Sequence, residues 1–164
     1  QRKRGERFVS SLCLASSGAA LGGALPGCGP AIGVMAACKA AAGVTSEKPE
    51  LFGKLLVLQA LPGTQGIYGF LTAILIMVQI GVLGGNAVDL TAAQGWQFFG
   101  AAMPMAITGL VSGIAQGKTA VGAIHMTGKQ PDASGKGITM TALVETYAIL
   151  ALLTSILLIY GIQL

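Results

Sequence analysis

Between its clusters of charged residues this chain runs through four apolar segments, about 8–44, 50–83, 91–127 and 134–162. Each is longer than the roughly 20 residues a helix needs to cross a bilayer. Segments of this kind restrict the backbone severely. In lipid no water satisfies N–H and C=O groups, so an open chain crosses as helix. The expected fold class is therefore all-α integral membrane, with four transmembrane helices. Only 10% of the 164 residues are charged, against about 25% in soluble domains, so most of the surface cannot face water. The charges gather as Arg2, Lys3, Arg4, Glu6 and Arg7, as Glu47, Lys48, Glu50 and Lys54, and as Lys118, Lys129, Asp132 and Lys136. The net charge of +4 does not call for nucleic acid. The basic residues sit beside membrane segments, where anionic lipid headgroups suit them.

The polar breaks divide the chain. A polar N-terminal tail covers 1–7, a first transmembrane hairpin 8–83, a connecting loop 84–90 and a second hairpin 91–164. The loop "GGNAVD" (84–89) is a turn signal with an Asp ahead of the next helix. "TSEKPE" (45–50) and "GKQPD" (128–132) are polar breaks that carry a Pro. The apolar stretch after Arg7 runs on too far for the core of a cleavable signal. The chain opens on Gln1 without Met, and the expectation is a trimmed or differently built N-terminus. Cys13, Cys28 and Cys38 follow no metal or disulfide spacing and read as small packing residues.

The two Pro-bearing breaks resemble each other, and a shift of 82 residues aligns the halves. Pro49 falls on Pro131, Gly53 on Gly135, Lys54 on Lys136 and Thr64 on Thr146. Leu71, Thr72 and Ile74 fall on Leu153, Thr154 and Ile156. The chain is a duplicated helical hairpin, two in tandem. Because two helices separate equivalent positions, the repeats run parallel, unlike the inverted repeats of alternating-access transporters. The first helix holds Gly18, Gly22, Gly23, Gly27, Gly29 and Gly33 at spacings that let backbones approach closely. The third does so more weakly with Gly109, Gly113 and Gly117. Simple helix pairing would use such patterns too. With bulkier Leu, Ile, Phe and Met on the second and fourth helices, a small-residue inner layer and a bulky outer layer fit a ring of hairpins. Pro26 and Pro30 are compatible with a kink or with the start of the helix's regular part.

Glu145 is the one acidic residue deep in an apolar segment, within "ALVETYAIL". A charge there costs at least ~2.5–3.5 kcal/mol on insertion scales, which makes it a functional candidate by default. The bland alternative is a neutral carboxyl hydrogen-bonded between helices. In the repeat Glu145 aligns with Gly63, so one carboxylate serves each four-helix unit.

The stretch "LPGTQGIYGF" (61–70) places Leu61, Gln65 and Tyr68 on one helical face with Thr64 adjacent. Pro62 lacks an N–H and loosens the local ladder, and Gly63 leaves room where the other repeat has Glu145. The third helix adds Gln116 in "SGIAQGK". Glu145, Gln65, Gln116 and Thr64, with a backbone carbonyl, make an oxygen-rich shell of the kind hard cations favour. A proton needs only the carboxylate. Tyr68 is placed to hold that carboxylate towards the ion. Interhelical hydrogen bonding by Gln65 and Thr64, a contact near a helix end for Gln116, and plain packing by Tyr68 are the structural alternatives. His125 and Lys118 are assigned no chemistry: the first suits a helix C-terminus, the second snorkels. No catalytic residue is assigned.

Those three motifs, "LPGTQGIYGF", "TGLVSGIAQGK" and "ALVETYAIL", resemble the proteolipid (K or c) subunit of bacterial V-type, or V/A-type, ATPases, in its duplicated sodium-translocating form. The resemblance runs over about residues 15–162; "GCGPAIGV" is similar to the family's Gly-rich inner helix. Lys39 stands where the family has an acidic residue, and "QRKRGER" is unlike it. The resemblance implies a rotor ring of identical subunits. It also implies a neighbouring stator subunit that supplies an essential Arg, a central-stalk subunit and a place in the bacterial plasma membrane. It implies Na+ held by the Leu61 carbonyl, Thr64, Gln65, Gln116 and Glu145, with Tyr68 in support. The chain has no nucleotide-binding motif; on this reading it is not catalytic by itself, and ATP is hydrolysed or made on separate subunits.

Three competing readings stay open on sequence. The same rotor could carry H+. A small proton-coupled exporter could use Glu145 as its coupling acid, as a monomer or dimer. A structural pore-forming proteolipid would tolerate Glu145→Gln. The Lys-rich loops 45–50 and 128–134 point to the cytoplasm by the positive-inside rule, while the basic residues before the first helix argue for the other side.

Overall fold

The computed structural model describes residues 2–164, with side chains from Gly5 onward. Gln1 and the side chains of Arg2, Lys3 and Arg4, all in the basic tail, lie outside the described residues. The helices are α1 (Arg2–Glu47), α2 (Phe52–Ala60), α3 (Thr64–Gln79), α4 (Ala92–Lys129) and α5 (Ser134–Tyr160). Three 3₁₀ turns, Pro49–Leu51, Leu61–Gly63 and Pro131–Ala133, precede α2, α3 and α5. The turn at Leu61–Gly63 joins α2 and α3 into one span, so four spans are long and apolar enough to cross a membrane: Gly5–Glu47, Pro49–Gln79, Ala92–Lys129 and Pro131–Tyr160. The described residues are all helix and loop, in two tandem hairpins.

The helix ends have identifiable causes. α1 begins at Arg2, inside the stretch read as a tail, and it continues through Pro26 and Pro30. The prolines therefore do not mark where its regular part starts. α3 stops at Gln79, earlier than the apolar pattern suggests, because Gly81 adopts φ +75°. Gly81 N–H donates to the Val78 carbonyl and Val82 N–H to the Met77 carbonyl, the paired bonds of a Schellman terminus. α4 is capped by Thr91 and not by Asp89. Thr91 Oγ1 accepts from Gln94 N–H at 3.2 Å, and Thr91 N–H donates to Gln94 Oε1 at 2.8 Å, a reciprocal capping box.

α1 packs chiefly on α4, α4 on α5, and α1 on α3. Glycines set the α1–α4 approach. A Cβ added at Gly18 would fall 2.7 Å from Phe99 Cα, at Gly95 2.7 Å from the Ser11 carbonyl oxygen, at Gly109 2.7 Å from Pro26 Cβ, and at Gly113 2.6 Å from Pro30 Cδ. The buried rings of Pro26 and Pro30 thus fill notches that glycines on α4 leave open. Partners across this contact differ in number by 80 to 84, close to the repeat offset of 82. Equivalent residues of the two halves therefore lie side by side at one height.

One consequence is directly measurable. A Cβ on Gly117 would fall 2.7 Å from the Gly33 carbonyl carbon and oxygen, and backbone cannot yield as a side-chain tip can. Overpacking costs about 1–3 kcal/mol even where side chains can shift. Gly117→Val is expected to lose most folded protein, read as the monodisperse fraction after detergent extraction. Gly53→Ala, where an added Cβ meets nothing within 4 Å, should extract like the parent.

The core is split by height. One apolar cluster, with Phe98, Ile76, Ile80 and Ile159, lies towards the 80–91 connection. A second, with Leu51, Leu55, Leu58 and Ile124, lies towards the other loops. Outside, Ile67, Phe70, Leu143, Leu150 and Leu157 are exposed, the bulky outer layer expected for lipid contact. Buried polar residues Gln65, Gln116, Thr141 and Ser112 occupy α3, α4 and α5 between the two clusters.

Candidate ion-binding site

Pro62 cannot donate a helical hydrogen bond, and the chain answers with the 3₁₀ turn Leu61–Gly63. The Leu61 carbonyl then accepts twice from one residue, from Thr64 N–H and from Thr64 Oγ1 at 3.1 Å. α3 starts at Thr64, which places Gln65 and Tyr68 on its inward side, three residues apart.

Two cross-helix links follow. Gln65 Nε2 donates to Gln116 Oε1 at 2.5 Å, and Gln116 Nε2 donates to the Thr141 carbonyl at 3.1 Å. Tyr68 OH donates to Glu145 Oε1 at 2.6 Å. Thr141 and Glu145 are four apart on α5 and so face the same way. The amide chain and the tyrosine–carboxylate pair therefore bridge to α5 on successive turns. Gln65 and Gln116 are 0% exposed, while Tyr68 and Glu145 are half-buried.

Gln65 Oε1 is buried and has no hydrogen-bond partner. A buried acceptor left unmatched costs about 1–3 kcal/mol, and such groups in native proteins call for an explanation. Its orientation is imposed: Gln65 Nε2 is held by Gln116 Oε1, whose own amide is held by the Thr141 carbonyl, so the free atom must be the oxygen. A small oxygen-seeking cation would satisfy it. The available donors are amide, hydroxyl and carbonyl oxygens with one carboxylate, the set that hard cations take. Among the described residues there is no group of three or more His, Cys, Asp or Glu suited to a softer metal.

The structure thus joins Gln65 to Gln116 and Tyr68 to Glu145, and Thr64 to Leu61 beside them. Gly63 leaves space beside the turn. A Cβ there would meet only Val34 of α1, at 3.7 Å, and buried Pro62 packs towards Gly33 of α1. The Thr141 carbonyl is a member that sequence reasoning misses, because a backbone acceptor leaves no trace in residue type. His125 is exposed, near Glu47, Lys48 and Lys129 at the loop end, and Lys118 is exposed. The three cysteines are free and exposed on α1 in the single chain.

A duplicated, all-helical, membrane-crossing hairpin with one carboxylate set against a buried oxygen cluster defines an ion-carrying proteolipid. Comparison with known proteins agrees. The family described as the C subunit of ATP synthase matches the chain twice, at residues 17–76 and 99–158. These two matches are again offset by 82 residues. The chain belongs to this family, as a two-copy member. It is 49% identical over 133 residues to the V-type sodium ATPase subunit K of Enterococcus hirae, covering 81% of each chain. It is 45% identical over 133 residues to the A-type ATP synthase subunit K of Methanocaldococcus jannaschii, covering 81% of this chain and 57% of that one.

Proposed function

We propose that this chain is the rotor-ring subunit of a V-type ATPase or synthase of the bacterial plasma membrane, and that each copy carries one Na+ across that membrane. The observation that carries the ion's identity is the unpartnered Gln65 Oε1, oriented by Gln116 and set beside Thr64 and the Leu61 carbonyl. A proton needs only the carboxylate, without the amide and hydroxyl oxygens of Gln65 and Thr64. The reading assigns Na+ to Glu145, Gln65, Gln116, Thr64 and the Leu61 carbonyl, with Tyr68 and the Pro62 turn in support.

Electrostatics gives the cycle. An ionised Glu145 cannot face lipid without a large desolvation cost. A bound cation neutralises it and lets the ring turn. Beside the Arg of the stator, the carboxylate gains a competing positive partner, and the cation leaves. Rotation is coupled to ATP through a central-stalk subunit. The surface that meets the stalk is the Lys-bearing loop end, which faces the cytoplasm. There Lys48 Nζ donates to the Gly128 carbonyl at 2.6 Å and Lys54 Nζ to the Pro131 carbonyl at 3.1 Å, so the two hairpins present one tied surface.

Labelling with a fluorescent carbodiimide tests the ion. Labelling is expected at Glu145, and millimolar Na+ should suppress it at neutral pH. If Na+ gives no protection while acidification alone governs labelling, the coupling ion is H+. Native mass tests the ring: a monomer or dimer would favour a small exporter instead.

A further inference from the structure

Ser112 of α4 has a buried Oγ without a hydrogen-bond partner. The other buried helical hydroxyls are all engaged. Ser11, Thr72, Thr127 and Thr141 each donate to the carbonyl four residues earlier, and Ser155 Oγ accepts from Met105 N–H. The same bond to the Thr108 carbonyl is open to Ser112, yet among the described buried hydroxyls it alone stays unspent. A buried polar group without a partner calls for an explanation. The atom is enclosed within this chain, so its partner must come from inside.

The register of α4 on α5 puts Ser112 at the height of Glu145. The two helices run antiparallel within one hairpin, and Gln116 Nε2 bonds the Thr141 carbonyl. One turn back along α4 stands Ser112, and one turn on along α5 stands Glu145. Ser112 also lines one groove with Val144 and Tyr147, which bracket Glu145 in sequence. Glu145 is turned about 100° from Val144, towards α3, where Tyr68 OH holds its Oε1. The repeat ties the two groups together. At the 82-residue offset Ser112 falls on Pro30 and Glu145 on Gly63, so the half without the carboxylate also lacks the hydroxyl. The threonines nearest the site have no proton to offer: Oγ1 of Thr64, Thr141 and Thr146 donates to the carbonyls of Leu61, Gly137 and Leu143.

We infer that Ser112 is a positioning residue of the ion site: its hydroxyl donates to the Glu145 carboxylate once the cation has left, and so steadies the empty, charged site. The inference rests on the reading of Glu145 as the ion carrier. With a cation bound the carboxylate is balanced, and Tyr68 suffices as its hydrogen-bond donor. Without one, an ionised carboxylate accepts at about four lone-pair positions, and Tyr68 fills one of them. Turning the side chain from α3 towards α4 brings it to the unspent hydroxyl on the same rung. A hydrogen bond to the charged form stabilises that form. Ser112 therefore works against Na+ and H+ alike and eases the release of either. Its loss has the opposite sign to the loss of a ligand.

Purified Ser112→Ala and Ser112→Thr oligomers, each checked by native mass, are compared with the parent. Carbodiimides react with the neutral carboxyl, so labelling of Glu145 without Na+ at neutral pH should run about tenfold faster in Ser112→Ala. Radiolabelled Na+, measured at alkaline pH where protons compete least, should bind about tenfold more tightly. Ser112→Thr keeps the hydroxyl and should match the parent in both readouts. Unchanged labelling in Ser112→Ala, or Na+ bound equally or more weakly, overturns the inference. A Ser112→Thr chain that behaves like Ser112→Ala also overturns it, because the effect would then lie in packing. A parent that binds no Na+ overturns the sodium reading instead, and the labelling rates without Na+ still decide the role of Ser112.

Discussion

Exchanging Glu145 for Gln is expected to abolish Na+ transport and carbodiimide labelling while leaving the oligomer's native mass unchanged. Glu145 is the one acidic side chain among the candidate ligands, and its contact through Tyr68 can be replaced by a neutral amide at little structural cost. Removing one member of a buried charge pair costs about 3–5 kcal/mol, so Na+ affinity should fall by at least ~100-fold at about 1.4 kcal/mol per decade. Assembly rests on other residues. The glycine contacts between α1 and α4 and the two apolar clusters do not involve Glu145. A pore-forming proteolipid would keep its role in this variant, and that outcome would count against the rotor.

The second large effect belongs to Gln65. Gln65→Leu fills the position with an apolar side chain and removes both the free Oε1 and the Nε2 that orients Gln116. A polar contact to a charge contributes roughly 1.5–3 kcal/mol, so Na+ affinity is expected to weaken by about 10- to 100-fold. Proton binding to Glu145 needs no amide oxygen and should persist. Protons and Na+ compete for one carboxylate, so each tenfold loss of Na+ affinity raises by about one unit the pH at which protons displace Na+ at fixed Na+ concentration. Na+ titrations of labelling across pH read this shift. An unchanged Na+ protection curve would mean that Gln65 is interhelical glue and no ligand.

Much of the architecture is legible in the amino-acid sequence. Segment length and the near absence of charge force four helices, because lipid leaves the backbone no other partner. The repeat of Pro49 on Pro131 and Thr64 on Thr146 implies the tandem hairpins. The spacing of Leu61, Gln65 and Tyr68 puts three site residues on one face. What sequence cannot supply depends on geometry between distant positions. Pro62 announces a break in the helix, but that the Leu61 carbonyl then takes both Thr64 donors is a detail of backbone geometry. The Thr141 carbonyl orienting Gln116 is backbone chemistry and is invisible in the letters. Gly81 ends α3 early because a positive φ overrides an apolar pattern that runs on through Leu83. The three cysteines are exposed in the single chain, because residue size alone does not say which face of a helix a position takes.

The most direct measurement is radiolabelled Na+ bound per chain by the purified oligomer, followed against pH. One saturable Na+ per chain is expected, lost on acidification and lost in Glu145→Gln at every pH. Binding of no Na+, or binding that survives Glu145→Gln, would contradict an ion carried on that carboxylate.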